Sequence, residues 1–136
     1  MSTLPTLAAT LHVALGGAAG AVLRYQTGRM MTHWLGPSIV TTFPFATLAV
    51  NAIGSLLMGL LAGWLARHGN ETSEQLRLLL GVGLLGGFTT FSAFSLEMVL
   101  MIERGQYLFA SLYAILSFAM GISGLMVGLA VMRMAG

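Results

Sequence analysis

The sequence predicts an all-α membrane protein with four transmembrane helices per subunit, the third broken near mid-membrane, paired as an antiparallel dual-topology homodimer. Three observations carry this. Of 136 residues, 57% are hydrophobic and only 7% are charged, whereas about a quarter of a soluble domain is charged. Four charge-poor stretches each approach or exceed the roughly 20 residues that cross a hydrocarbon core. Arginine is shared evenly between the two ends that four spans would create. The connectors are short, so residues 1–136 read as a single four-span membrane domain.

The first span runs from about Thr6 to Leu23, or to Met31 if Arg24 and Arg29 are included. No positive segment precedes it and no convincing cleavage site follows, so it reads as a mature span and not a signal peptide. His12, Gly16, Gly20 and Arg24 follow at four-residue steps. The Gly16–Gly20 pair permits close approach of another helix. His12 reads as an interfacial or internally satisfied residue. Arg24 either snorkels to the interface or sits in an aqueous vestibule that attracts anions. The region Thr32–Pro44, with Trp34 and Gly36-Pro37, reads as an interfacial turn.

The second span runs from about Phe43 to Ala66. Thr47, Asn51 and Ser55 lie four apart, roughly on one helix face. An asparagine in the bilayer needs a partner. It is either a helix–helix hydrogen bond or a pore-lining donor, and the flanking hydroxyls favour the second. Arg67 to Glu74 form a hydrophilic connector in which Ser73 can cap the next helix.

The third span runs from about Gln75 to Met101. From Leu78 to Leu96 it holds no charge, yet it contains Gly86-Gly87-Phe88-Thr89-Thr90-Phe91-Ser92-Ala93-Phe94-Ser95. Adjacent glycines followed by Thr89, Thr90, Ser92 and Ser95 make a poor continuous helix. A break at this depth is tolerated only where protein or a watery cavity takes up the freed backbone groups, and such breaks mark ion and substrate sites. Freed carbonyls suit a small monovalent cation; backbone N–H groups, hydroxyls and the positive ring edges of Phe91 and Phe94 suit an anion. Glu97 is the most deeply placed acid. It reads as a proton carrier, an acceptor ordering the break, or an end-of-helix residue near water. The fourth span, from about Tyr107 to Met132, carries Tyr113, Ser117 and Gly121 four apart. These serve close packing or continue a polar track.

Composition excludes several classes. There is no cysteine, hence no disulfide and no thiol chemistry. There is no basic tract for nucleic acid. The histidines His12, His33 and His68 lie far from the serine cluster, so no base activates a nucleophile, and an enzyme is not expected. Arg67, Arg77 and Arg133 fall at one end, and Arg24, Arg29 and Arg104 at the other. Orientation follows an excess of Lys/Arg, and a three-to-three balance predicts insertion both ways round.

At these motifs the chain resembles the small fluoride channels of the Fluc (CrcB) family over nearly its whole length. The likeness rests on Gly16-Gly17-Ala18-Ala19-Gly20-Ala21-Val22-Leu23-Arg24-Tyr25, on Thr47-Leu48-Ala49-Val50-Asn51 with Gly54-Ser55, and on Gly86 to Ser95 with Glu97. The resemblance implies a fluoride-selective channel of the bacterial inner membrane, giving passive export and protection from fluoride toxicity. It implies two antiparallel pores per homodimer and a central structural sodium ion on the backbone carbonyls of Gly86 and Thr89. By motif position, Phe91 and Phe94 line the fluoride path and Asn51 is its asparagine. Ser92, Tyr113 and Ser117 form its hydroxyl track, with Thr47, Glu97 and Arg24 close by. The chain departs from the family pattern at Ala93 and Gly121, where a hydroxyl residue can stand, which thins the track. The rivals are a proton-coupled small multidrug antiporter, which wants an acid in the first span, and a non-transporting assembly subunit, which leaves the broken segment unexplained.

Overall fold

The computed structural model describes residues 4–136, and among them every regular element is helical. Four helical stretches are long and apolar enough to cross a membrane: Thr6–Leu35, Phe45–Leu65, Glu71–Glu103 and Tyr107–Met134. The chain is thus a multi-pass membrane protein.

Helix α1 covers Thr6–Leu35. It continues a full three turns past Arg24, further than the hydropathy suggests: no proline and a single glycine, Gly28, intervene before Gly36, which ends it with a positive φ of 88°. At about 1.5 Å per residue it is about 45 Å long, enough to pass the hydrocarbon core and reach the interface. The expected turn that follows contains a short helix, α2 (Pro37–Thr42), started by Pro37 at its first position. Helix α3 is Phe45–Leu65. Helix α4 (Glu71–Leu76) is capped by Asn70, whose Oδ1 accepts from Ser73 N at 2.8 Å and Ser73 Oγ at 2.9 Å. Asn70, not Ser73, is therefore the cap: its carboxamide oxygen faces the free N–H groups, and the Ser73 hydroxyl only adds to it.

From Arg77 to Leu85 the rod widens to π-helical geometry, then tightens into α5 (Gly86–Phe88). Helix α6 is Phe91–Glu103 and α7 is Tyr107–Met134. The π stretch is uncommon. Its setting explains why this sequence accepts it: Gly83 lies against Gly16 and Gly17 of α1, Gly87 against Gly17, and a Cβ on Gly16 or Gly20 would strike the Leu79 or Leu84 carbonyl. Glycine on both sides brings the α1 and π-stretch backbones together. The same device joins α3 to α7, where Gly59 and Gly128 face each other's helix backbones.

The two ends are distinguishable. At one, Gly136 sits against the Arg67 guanidinium. At the other, Arg104 Nη1 donates to Thr41 O at 3.4 Å, joining α6 to α2. Near that second end Phe43, Leu48, Met101, Ala110 and Tyr113 form the buried core, with Phe94 and Met98 packed on it.

Candidate functional site

The site is built around Thr89 and Thr90, which are extended (φ −82°, ψ 158° and φ −152°, ψ 124°) between α5 and α6. Two features make this conformation affordable locally. Gly86 and Gly87 weaken the preceding turn, and Thr90 starts the next helix by accepting Ala93 N on its hydroxyl at 3.1 Å. The backbone groups released here find specific partners. Thr90 N donates to Asn51 Oδ1 at 2.8 Å, and Asn51 Nδ2 donates to Thr90 O at 3.0 Å. One carboxamide thus replaces both halves of a missing peptide pairing. Arg24 Nε donates to Gly87 O at 3.1 Å. Among the described residues, no side chain or other element donates to the Gly86 or Thr89 carbonyl.

Asn51 makes the expected helix–helix hydrogen bond. It also lines a cavity of about 300 Å³ with Thr90, Phe91, Phe94 and Ser117. Phe91 and Phe94 are 5.8 Å apart between ring centroids. Phe118, which sequence reasoning passed over, also lines the cavity and stands edge-on to Phe94 at 6.1 Å. Its only signal was its place beside Ser117. The Ser117 hydroxyl is buried with no hydrogen-bond partner among the described residues. Beside Gly121 lies Ser55 Oγ, so a hydroxyl from α3 stands near the position where α7 lacks one.

A second constellation adjoins the first. Glu97 Oε1 accepts from Thr47 Oγ1 and Glu97 Oε2 from Tyr113 OH, both at 2.6 Å. Tyr113 is fully buried and packs on Phe94 at 5.1 Å. Thr47 and Glu97 face a larger cavity of about 720 Å³, whose lining also includes Arg24, Arg29 and Arg104. Glu97 lines the larger cavity and Phe94 the smaller one. Arg24 lines the larger cavity while its Nε holds the Gly87 carbonyl. His12 is internally satisfied, its Nδ1 lying 2.7 Å from Ala8 O.

Ser92 and Gly86 stand apart from both cavities. They lie on the exposed surface of the rod, Ser92 Oγ being 3.3 Å from Thr90 Oγ1. Phe91 is 74% exposed on that surface.

The family profile described as "CrcB-like protein, Camphor Resistance (CrcB)" matches residues 11–129. The chain belongs to the CrcB family. It is 62% identical over 134 residues to a protein of Erythrobacter litoralis named fluoride-specific ion channel FluC, covering 98% of each chain. A protein of the same name from Novosphingobium aromaticivorans is 57% identical over 127 residues, with 93% of this chain and 98% of that one covered. One from Phenylobacterium zucineum is 53% identical over 125 residues, covering 92% and 95%. Relatives of this kind are ion channels, not enzymes, and the chain is no enzyme. The CrcB match also sets aside the multidrug-antiporter alternative.

Proposed function

We propose that the chain is a fluoride-selective channel through which fluoride leaves the bacterial cytoplasm passively, down its gradient. The observation that carries this reading is the Asn51 clamp on Thr90, which holds an opened stretch of backbone beside Phe91, Phe94 and Ser117 in a chain related to fluoride-specific channels. Fluoride is small and strongly hydrated. A conduction path must replace its water without trapping it, so several weak donors serve better than one strong cation. The unpartnered Ser117 hydroxyl, the Ser55 hydroxyl and the ring edges of Phe91 and Phe94 are donors of that kind. Thr47, Tyr113 and Glu97 form the next polar group along the proposed route, and Arg24 stands in the vestibule beyond them.

The chain works as an antiparallel homodimer with two pores. Support comes from the surface at the interruption: Gly86 and Ser92 are exposed there, in the middle of a span. Lipid does not satisfy such groups, whereas a second copy covers them. The equal division of arginines between the two ends leaves each copy free to insert in either direction. Ser92, which lines neither cavity within one subunit, reaches a path only across that interface.

The free Gly86 and Thr89 carbonyls also fit a structural sodium ion. Two copies would offer four neutral oxygens, a donor set suited to a hard monovalent cation. A bound cation there supplies positive charge that stabilises the juxtaposed carbonyls. Gly86 and Thr89 would hold the ion through their carbonyls, and Asn51 fixes the Thr90 end of the segment.

The test is fluoride efflux from proteoliposomes, followed with an ion-selective electrode beside a chloride control. Fluoride loss with chloride retained is expected. Vesicles that hold both ions would end the proposal.

A further inference from the structure

The larger cavity gathers positive charge from separate parts of the chain. Three of the six arginines, Arg24, Arg29 and Arg104, line one cavity of about 720 Å³. The acid in its lining is Glu97, and both of that carboxylate's oxygens already accept hydroxyl donors from Thr47 and Tyr113. Among the described residues none of the three arginines forms an ion pair; the pair present is Arg77–Glu74, outside this cavity. Arg24 and Arg104 are held to the cavity wall through Nε on backbone carbonyls, Gly87 O at 3.1 Å and Leu100 O at 3.1 Å. Among the described residues Arg24 makes no other hydrogen bond. Arg29 makes no hydrogen bond among the described residues.

Unpaired guanidinium groups gathered around one concave site draw a counter-ion from solution, Arg29 and Arg104 being exposed to it. Their planar fork matches the oxygens of a tetrahedral oxyanion, two N–H bonds to two oxygens, better than it matches a single halide. Thr32, Thr41 and Thr42 add hydroxyls to the same wall. The cavity has room for a hydrated phosphate or sulfate. Next to it stands the buried Tyr113, hydrogen-bonded to Glu97 and packed on Phe94.

We infer that this vestibule is a binding site for a divalent oxyanion of the phosphate or sulfate class, which enters, does not pass, and obstructs fluoride. The binding half stands on the cavity alone; the obstruction half rests on the channel reading. Phosphate could arrive free in solution or on a phospholipid headgroup, and the two arms below separate these sources.

The first arm is calorimetric titration of the purified protein, in non-ionic detergent stripped of phospholipid, with inorganic phosphate and with sulfate. Chloride at equal ionic strength is the control. A dissociation constant on the order of 1 mM is expected for both oxyanions. It should weaken at least about tenfold in Arg29→Gln/Arg104→Gln, and partly recover in Arg29→Lys/Arg104→Lys, which restores charge without the fork. Size-exclusion profiles matching the unmodified protein show that these variants fold. The second arm is fluoride efflux with about 10 mM phosphate on both sides of the vesicle, where a site of that affinity is about nine-tenths filled and efflux falls about tenfold. Binding in detergent that short-chain phosphatidylglycerol displaces, with efflux indifferent to free phosphate, assigns the site to headgroups. Absence of oxyanion binding in the first arm overturns the inference, whatever the fluoride flux; absence of fluoride flux with binding intact overturns only the channel reading.

Discussion

Replacing Asn51 with alanine tests whether the opened segment is held by that one side chain. The substitution removes two hydrogen bonds and orphans both Thr90 N–H and Thr90 C=O. In a water-soluble protein each orphaned group costs about 1–3 kcal/mol, or about 2–6 for the pair. Within a membrane the unfolded reference state also finds partners, and single contacts are worth about 0.6–1.7 kcal/mol. The second scale applies here because Thr90 is only partly buried and lies in a span. The expected loss is about 1–3 kcal/mol. For a chain of this length that lowers the thermal midpoint by about 4–12 °C, readable by intrinsic fluorescence in detergent. Asn51→Asp keeps an acceptor for Thr90 N–H but not the donor for Thr90 C=O, and should fall between alanine and the native residue. Fluoride efflux should drop in both, because the segment that presents Phe91 and Phe94 loses its anchor. An Asn51→Ala protein with unaltered melting and unaltered efflux would refute the clamp.

Three further outcomes are expected. Phe91→Ile and Phe94→Ile keep a somewhat smaller apolar side chain but lose the ring edge, so each should slow fluoride efflux at least about tenfold, a barrier change of about 1.4 kcal/mol, with an unchanged size-exclusion profile. Gly16→Ala places a Cβ against the Leu79 carbonyl and the Leu84 amide, both backbone atoms that cannot move aside, whereas nothing lies within 4 Å of the Cβ position at Gly28. Gly16→Ala should therefore abolish folding or cost several kcal/mol, while Gly28→Ala should be neutral or stabilise by up to about 1 kcal/mol through helix propensity; the thermal midpoints of the pair decide it. Adding three lysines to the Arg67 connector should convert mixed insertion into one orientation, read by topology reporters at the C-terminus; a single orientation before the lysines are added would refute dual insertion.

Much of this architecture was legible because membrane spans are written in long, simple patterns. The positions of four spans follow from charge-free length alone, and the Gly86–Ser95 stretch announces itself by placing glycines and hydroxyls where lipid offers no water. Partners were harder to read. Asn51 and Thr90 are 39 positions apart, and Arg24 and Gly87 are 63 apart. Periodicity locates the face a residue occupies, not the backbone atom it meets there. The π-helical stretch left no local sign, since Gly81 and Gly83 suit many conformations. It arises from the close fit of α1, a tertiary cause. The span topology already placed Arg24, Arg29 and Arg104 at one end, but only the folded chain shows that they line one cavity.

Glu97 shows how the site's chemistry depends on such partners. Taken alone, an acid within a span is a natural proton carrier, and the multidrug antiporter needed one. A carrier must exchange its proton with changing surroundings. Here the two carboxylate oxygens accept separate hydroxyls, from Thr47 on α3 and Tyr113 on α7, each at 2.6 Å. That makes Glu97 a strut joining three helices. A strut predicts that its two donors are energetically linked through it. In a double-mutant cycle, Thr47→Val and Tyr113→Phe should show a coupling of about 0.5–1.5 kcal/mol in thermal stability, as expected for residues sharing one partner. Glu97→Gln, able to accept one hydroxyl and donate to the other, should retain most of that stability. The same variant separates the two roles functionally. A carrier would give substrate-driven proton movement in vesicles holding a trapped pH dye, lost in Glu97→Gln. A strut gives fluoride efflux with no proton movement tied to it in either protein, because the group that could carry the proton is already occupied in holding the helices together.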